Sequence, residues 1–410
     1  MAQPRESIQA ARAEEAPLPY GRHFIDEADI AAVVAALRSE RLAHGPRVGA
    51  FETAFAAAVE APAAAACSSG TAALHLALAA LDLGPGDVCI VPAVTFLASA
   101  TAARFCGAEV AFADVDPASG LITGETLHAA LAATGGKARV VVPVHLGGRI
   151  CAMDEIADVA RPAALRIVED ACHALGGRDA EGRAVGACAS SDAAAFSLHP
   201  VKTIAAGEGG MVASPDPDRV LRMRSLANHG VTKDPQRILD RGLSLDAAGE
   251  LNPWGYEQVE LGFNYRMNEL EAALGHSQLG KLERFVRRRR ELVLLYDLAL
   301  ERLGGQVRPV QPGAPGQRIS PHLHQVLIDF DAAGVDRATV MRRMADRGVE
   351  TQVHYIPVYR QPYFAGRYGA MRLPGAEAFY ARVLALPLFP AMRNQDIERV
   401  AGALAEALGL

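Results

Sequence analysis

Lys202 has the setting of a reactive lysine. It stands in Phe196-Ser197-Leu198-His199-Pro200-Val201-Lys202, between a short strand pattern and a glycine-rich turn (Gly207, Gly209, Gly210) that leads into the apolar run Met211-Val212-Ala213. A surface position is the ordinary expectation for a lysine, yet a tight glycine-flanked connection of this kind can aim the side chain inward. Burial or a cationic neighbour lowers an amine's pKa, and the neutral amine is the nucleophile that condenses with carbonyl groups.

Two further stretches carry matching chemistry. Leu165-Arg166-Ile167-Val168-Glu169-Asp170 reads as an apolar strand ending in two acids, and ligands of open α/β sheets bind beyond such carboxyl ends. Asp170 there can cap the next helix, or it can pair with a protonated pyridine nitrogen and preserve the electron sink of a pyridoxal cofactor. Ser69-Gly70-Thr71 directly precedes an amphipathic helix, whose free N–H groups suit a phosphate; plain helix capping by the same residues is the competing reading.

The elements that must position these residues follow from the pattern. From Ala63 to about Ser214, β-like runs at 88–92, 109–115, 139–145 and 165–170 alternate with helical stretches, which predicts an α/β fold with a mostly parallel sheet. A helix is expected over Ile25 to Leu37 and one long helix from Asn268 through Leu303, with the basic run Arg287 to Arg290 as its solvated face. Beyond it, HLHQVLIDF at 322–330 and helices near 335–347 and 393–408 predict a smaller α+β unit. The expected division is a mobile tail over 1–17, a large domain over 18–279 and a small domain over 280–410.

The 410 residues are half hydrophobic and 21% charged, a balance that excludes disordered and collagen-like classes. With 41 basic and 47 acidic residues the net charge is -6, which predicts no general affinity for nucleic acid or anionic membrane. The six cysteines lack any CxxC pair and are expected as reduced, mostly buried thiols. The polar, acidic start has no signal-peptide pattern and no stretch is apolar enough to span a bilayer, so the cytoplasm is the expected location. His322 and His324 share an H-x-H spacing, but without an acidic or cysteine ligand nearby no metal site is expected.

SSGTAALHLAL, EDACHALGG, FSLHPVKTIAAGEGGMV and ELGFNYRMNELEAALG, in this order and spacing, closely resemble the DegT/StrS group of sugar aminotransferases, from about Leu18 to the end of the chain. The resemblance implies an aspartate-aminotransferase-like fold, pyridoxal-phosphate fold type I, with Lys202 carrying pyridoxal 5'-phosphate as a Schiff base. By the same resemblance Asp170 pairs with the ring nitrogen, Phe96 stacks on the ring and His173 lies beside it. Ser69, Gly70, Thr71 and Ser197 hold the phosphate, and Asn264 reaches the phosphate of a neighbouring subunit, which implies a homodimer. L-glutamate is the implied amino donor. Histidine at the lysine position marks the family's sugar dehydratases, so Lys202 favours transfer. The chain departs from the common pattern at Leu198, Ala205 and Ala206.

Within the family, LPYGRHFIDEADIAAVVAALRSERLAHGPRV, PVHLGGRICAMDEI, NPWGYEQVELGFNYRM and QVHYIPVYRQPYF look like the branch that serves pseudaminic acid synthesis. That likeness implies a UDP-linked 4-keto-6-deoxy-N-acetyl-hexosamine as acceptor; another nucleotide-linked 4-keto or 3-keto deoxysugar is the alternative. His322, His324, His354, Tyr355, Tyr359, Trp254 and Tyr256 are candidates for sugar recognition, since imidazoles and phenols cover a sugar face and hydrogen-bond at their edges. His145 and Arg149 come second. A lyase or isomerase using the same cofactor, or a scaffold retaining only the fold, are the remaining alternatives; the joint presence of Lys202, Asp170 and Ser197 argues against the last.

Overall fold

The computed structural model describes residues 16–313 and 315–410; the expected tail lies largely outside them. Seven strands form the main sheet: β1 (Ala63–Cys67), β2 (Val88–Pro92), β3 (Glu109–Ala113), β4 (Ala138–Val141), β5 (Arg166–Asp170), β6 (Ala193–Ser197) and β7 (Gly210–Ser214). Their order is β1-β7-β6-β5-β4-β2-β3, and only β7 runs against the others. The carboxyl ends of β1, β2, β5 and β6 therefore lie on one edge, together with the start of β7.

Helices cover both faces, so the strands read as buried runs rather than alternating ones. Leu74, Leu76, Ile90, Val91 and Val168 pack in one buried cluster with the helices around them, and Phe51, Phe55, Phe196 and Met211 in another. A short antiparallel pair, β8 (Val231–Thr232) and β9 (Glu257–Gln258), forms a separate two-stranded sheet.

A second core gathers around the antiparallel sheet of β10 (Val307–Pro309), β11 (His324–Ile328) and β12 (Val383–Leu386), with Leu292, Tyr296, Val340, Ile397 and Leu404 from helices against it. Leu18 joins this core through a bridge to Val349, bringing the N-terminal segment over residues near the chain's end. The chain then passes Tyr20 toward the first helix.

That helix runs over Glu27–Leu37, two residues later than the apolar pattern begins, because Asp26 caps it and exchanges hydrogen bonds with Asp29. The single helix expected over 268–303 is two, Glu269–Leu279 and Leu282–Leu300, parted at Gly280 and Lys281. Glycine's low helix propensity allows the break, and Lys281 fixes it by pairing with Asp26 and with Asp29 at 2.7 Å. The second helix gives Phe285 to the large core and Leu292 and Tyr296 to the small one.

The basic run within it is not a solvated face. Arg289 is buried and donates from Nη1 to the carbonyls of His322 and Leu388, while Arg288 and Arg290 donate to the carbonyls of Met392, Ile319 and Arg318. These guanidiniums tie the chain around β11 and β12 to the helix. All six cysteines are free, four of them buried.

Candidate active site

The edge where β1, β2, β5 and β6 end opens into a cavity of about 530 Å³. Its position matches the rule that ligands of open α/β sheets bind beyond the strands' carboxyl ends. Ser69, Gly70, Thr71, Phe96, Asp170, His173, Ser197, Lys202, His322, His354 and Tyr355 all line it.

One end is built for an anion. Ser69 caps the helix Gly70–Ala79, its Oγ accepting the Ala72 N–H at 3.1 Å, so the first N–H groups of that helix face the cavity without an intrahelical partner. A Cβ on Gly70 would lie 2.7 Å from the Ser197 Cβ and 3.3 Å from the Cys172 Sγ. Only glycine therefore lets the helix start come this close to the end of β6. Behind it Gly210 is equally constrained, since a Cβ there would meet the Ser69 carbonyl oxygen at 2.2 Å.

Asp170 closes β5 and is buried; its Oδ2 accepts from Ser99 Oγ at 2.7 Å and its Oδ1 from the Cys172 N–H at 3.2 Å. Ser99 is held in turn by Thr95, with 2.7 Å between hydroxyl oxygens. Neither was singled out from the sequence. Their signal was there: Ser99 follows Phe96 by three residues in one helical turn, on the face that looks toward β5.

Lys202 follows β6 in a turn closed by its own N–H to the His199 carbonyl at 2.8 Å. Its amine has neither hydrogen-bond nor ion-pair partner among the described residues. Burial lowers its pKa from the usual value, opposed by Cys172 and Asp170. A basic, unpaired amine facing a carboxylate and a phosphate-sized anion seat fits pyridoxal phosphate: Lys202 for the aldehyde, Asp170 for the ring nitrogen, the Gly70 helix start and Ser197 for the phosphate. Phe96 supplies a half-exposed ring over the same space, 5.9 Å from the Tyr355 ring.

His173 has a defined tautomer. Its Nδ1 accepts the Gly147 N–H at 3.2 Å, so the proton of the neutral ring sits on Nε2, which faces Tyr355 Oη at 3.3 Å. Burial, with the charge of Lys202 beside it, keeps the ring neutral by pushing its pKa well below the usual value. Tyr355 thus receives a hydrogen bond and retains its own proton to donate.

Other expected residues fall elsewhere. His324 turns into the small core and stacks on Tyr296, centroids 4.3 Å apart, because β11 alternates its faces and this one is internal. Tyr359 is buried against Phe112 and bonds Glu377. Trp254 and Tyr256 are exposed just before β9, outside this cavity, and Asn264, bridged to Asn228, is exposed and outside its lining as well. His145 and Arg149 lie under the cavity: His145 accepts the Cys151 N–H on Nδ1 and meets Glu169 at 2.8 Å, while Arg149 donates to Gln325 at 2.6 Å. Tyr20, Gln352 and Gln361 line the cavity without having been foreseen.

Fold and cavity together are those of a fold type I pyridoxal-phosphate transferase. Residues 23–405 match the DegT/DnrJ/EryC1/StrS aminotransferase family, and the chain belongs to it. It is 36% identical to the spore coat polysaccharide biosynthesis protein SpsC of Bacillus subtilis over 391 residues, 94% of this chain and 96% of that one. The sugar aminotransferase Spr1654 of Streptococcus pneumoniae, described as putative and solved in its PLP form, superposes with a TM-score of 0.85 at 25% identity, over 96% of this chain and 99% of that one. Helicobacter pylori PseC, an aminotransferase of pseudaminic acid biosynthesis, shares the fold with a TM-score of 0.85 at 24% identity, over 96% and 99% of the two chains. Enzymes of the family use pyridoxal phosphate, with a sugar as substrate and an amino donor. Among the described residues no helix is long and apolar enough to cross a membrane.

Proposed function

We propose that this enzyme transfers the amino group of L-glutamate to C4 of a UDP-linked 4-keto-6-deoxy-N-acetyl-hexosamine, giving UDP-4-amino-4,6-dideoxy-N-acetyl-β-L-altrosamine for pseudaminic acid. One observation carries the transfer reaction: the unpaired amine of Lys202 shares a cavity with the Asp170 carboxylate and the Gly70 helix start. The choice of sugar rests on the stretches around Tyr20, His145, Trp254 and His354 that look like the pseudaminic acid branch.

Lys202 would hold the cofactor's aldehyde, Asp170 its ring nitrogen, and Ser69, Gly70, Thr71 and Ser197 its phosphate; Phe96 would cover the ring and His173 flank it. When bound, pyridoxal phosphate supplies an electron sink for the carbon that loses a proton. Lys202, released by the incoming amine, would take that proton on Nζ and deliver it to the cofactor's aldehyde carbon; on the acceptor it would perform the same two acts in reverse order. Burial lowers its pKa, which favours the neutral amine that the first act requires. One lysine serves both half-reactions, so ping-pong kinetics follow. Asn264, exposed and outside the lining of its own cavity, would reach the phosphate in a neighbouring subunit, and the working unit is a homodimer.

A second reading keeps the chemistry and changes the sugar. SpsC, the relative at 36% identity, is named for spore coat polysaccharide biosynthesis, which favours another nucleotide-linked 4-keto deoxysugar. Both readings are separated by following the cofactor's visible absorbance: L-glutamate should bleach the band, and the UDP-linked 4-keto sugar of L-arabino configuration should restore it. Bleaching that other 4-keto nucleotide sugars alone reverse assigns the second reading. A band that glutamate leaves unchanged removes glutamate as the donor.

A further inference from the structure

An amino acid donor brings a carboxylate on the carbon that loses its proton, and that carboxylate must be seated within reach of Lys202. No arginine lines the cavity among the described residues, and Lys202 itself is committed to the cofactor. Within this chain the hydrogen bonds come from neutral donors.

His322 and His354 have the properties required. They come from separate segments, one just before β11 and one after its neighbouring helix, and are 4% and 6% exposed on the cavity wall. Among the described residues neither ring has a hydrogen-bond partner, and in each the Nδ1 is sealed from solvent. Nε2 is the nitrogen left to face the cavity. The sealed Nδ1 of each ring can only be left as an unprotonated acceptor, so the ring proton sits on Nε2, where an acceptor in the cavity can take it. Both rings lie in the field of Lys202.

The charge behind them selects the ligand's sign. Arg289, 1% exposed, donates from Nη1 to the His322 carbonyl at 3.2 Å, while its Nε and Nη2 have no partner. No carboxylate within ion-pair distance neutralises it. A sugar hydroxyl placed against His322 would leave that charge unanswered. A carboxylate answers it, and its two oxygens can accept from two N–H groups together.

We propose that Nε2–H of His322 and Nε2–H of His354 hold the α-carboxylate of the amino donor, with the unpaired Arg289 supplying positive potential from behind His322. This rests on the transamination reading above and reassigns both histidines from the acceptor sugar to the donor. Both rings share the cavity with Lys202, which picks the α-carboxylate, borne on the carbon that loses its proton, over the more distant γ-carboxylate.

The test uses holoenzyme and separates the half-reactions by the cofactor's absorbance, with L-glutamate, its α-amide and its γ-amide as donors and the keto sugar as acceptor. Wild type should discriminate against the α-amide far more than against the γ-amide. His322→Ala and His354→Ala should each raise the half-saturating concentration of L-glutamate ten- to a hundredfold, shrink the penalty on the α-amide by a similar factor, and leave the half-saturating sugar concentration within about threefold. His322→Gln, which offers an N–H near the Nε2 position, should recover much of the loss. Histidine variants that weaken the sugar instead, or whose γ-amide penalty shrinks, overturn the proposal. If the alanine variants bind no cofactor, wild-type discrimination decides: an α-amide used as well as glutamate overturns it. A wild type that L-glutamate does not convert overturns the transamination reading itself, whereas normal conversion with unchanged constants in the variants overturns only this assignment.

Discussion

Ser99 Oγ donates to Asp170 Oδ2 across 2.7 Å, joining the helix after Phe96 to the end of β5 inside the buried floor of the cavity. Removing the hydroxyl leaves a buried carboxylate oxygen without its partner, which costs about 1.5–3 kcal/mol for a charged group. Ser99→Ala should therefore lower kcat/KM by roughly ten- to a hundredfold while the fold persists. Steady-state kinetics beside a thermal melt check it; unchanged kinetics would mean that the Cys172 N–H alone fixes Asp170.

Among the described residues Lys202 is the one lysine lining the cavity, so attachment of the cofactor should be confined to it. Borohydride reduction of the holoenzyme followed by peptide mass mapping should label Lys202 and no other residue. Lys202→Ala should take up cofactor without covalent attachment and lose on the order of 10²–10⁴ in turnover, the usual contribution of a positioned proton-transfer group. A labelled lysine elsewhere, or a variant with normal turnover, removes Lys202 from its role.

Gly70 admits no side chain without movement of β6 or of the helix start, as the 2.7 Å approach to Ser197 requires. Gly70→Ala should cost about 1–3 kcal/mol of stability through overpacking and weaken cofactor binding at least tenfold by pushing the N–H groups back. Equilibrium dialysis of the cofactor and a melting curve read the two effects separately. A variant that binds cofactor normally would place the phosphate away from this helix.

How much of this was legible in the sequence depended on whether local pattern or tertiary context decides. β2 to β5 are rich in valine and isoleucine, and their spans were read within a few residues. β6, AAAFS, was read as the short strand ahead of Lys202, whereas β1 is AAAAC, where alanine favours helix; burial between helices overrides that preference, and no local signal reports it. The arginine run looked solvated because spacing cannot show that carbonyls of His322 and Leu388 wait behind Arg289. His322 and His324 look equivalent in sequence, yet one faces the cavity and the other the small core. The bond between Tyr355 and His173 joins residues 182 positions apart, which only the fold can bring together.

His324 supplies a test of that internal placement through pH. Burial, reinforced by Arg149, depresses its pKa from 6.5 to about 3, so the unfolded chain takes up a proton that the folded chain refuses. The contribution to stability is whole above pH 6.5 and is lost as pH falls from there toward 3, by about 1.4 kcal/mol per pH unit from this one ring. His324→Phe keeps an aromatic ring against Tyr296 and removes both the titration and the unpartnered Nε2. At pH 7.5 the variant should melt within a few degrees of wild type, and between pH 6.5 and 4.5 its Tm should fall less steeply, so that the two curves diverge in the variant's favour. Thermal melts of cofactor-loaded protein across that range measure the divergence. Parallel curves would mean that the His324 ring takes up its proton without unfolding, and that water or a carboxylate reaches it inside the small core.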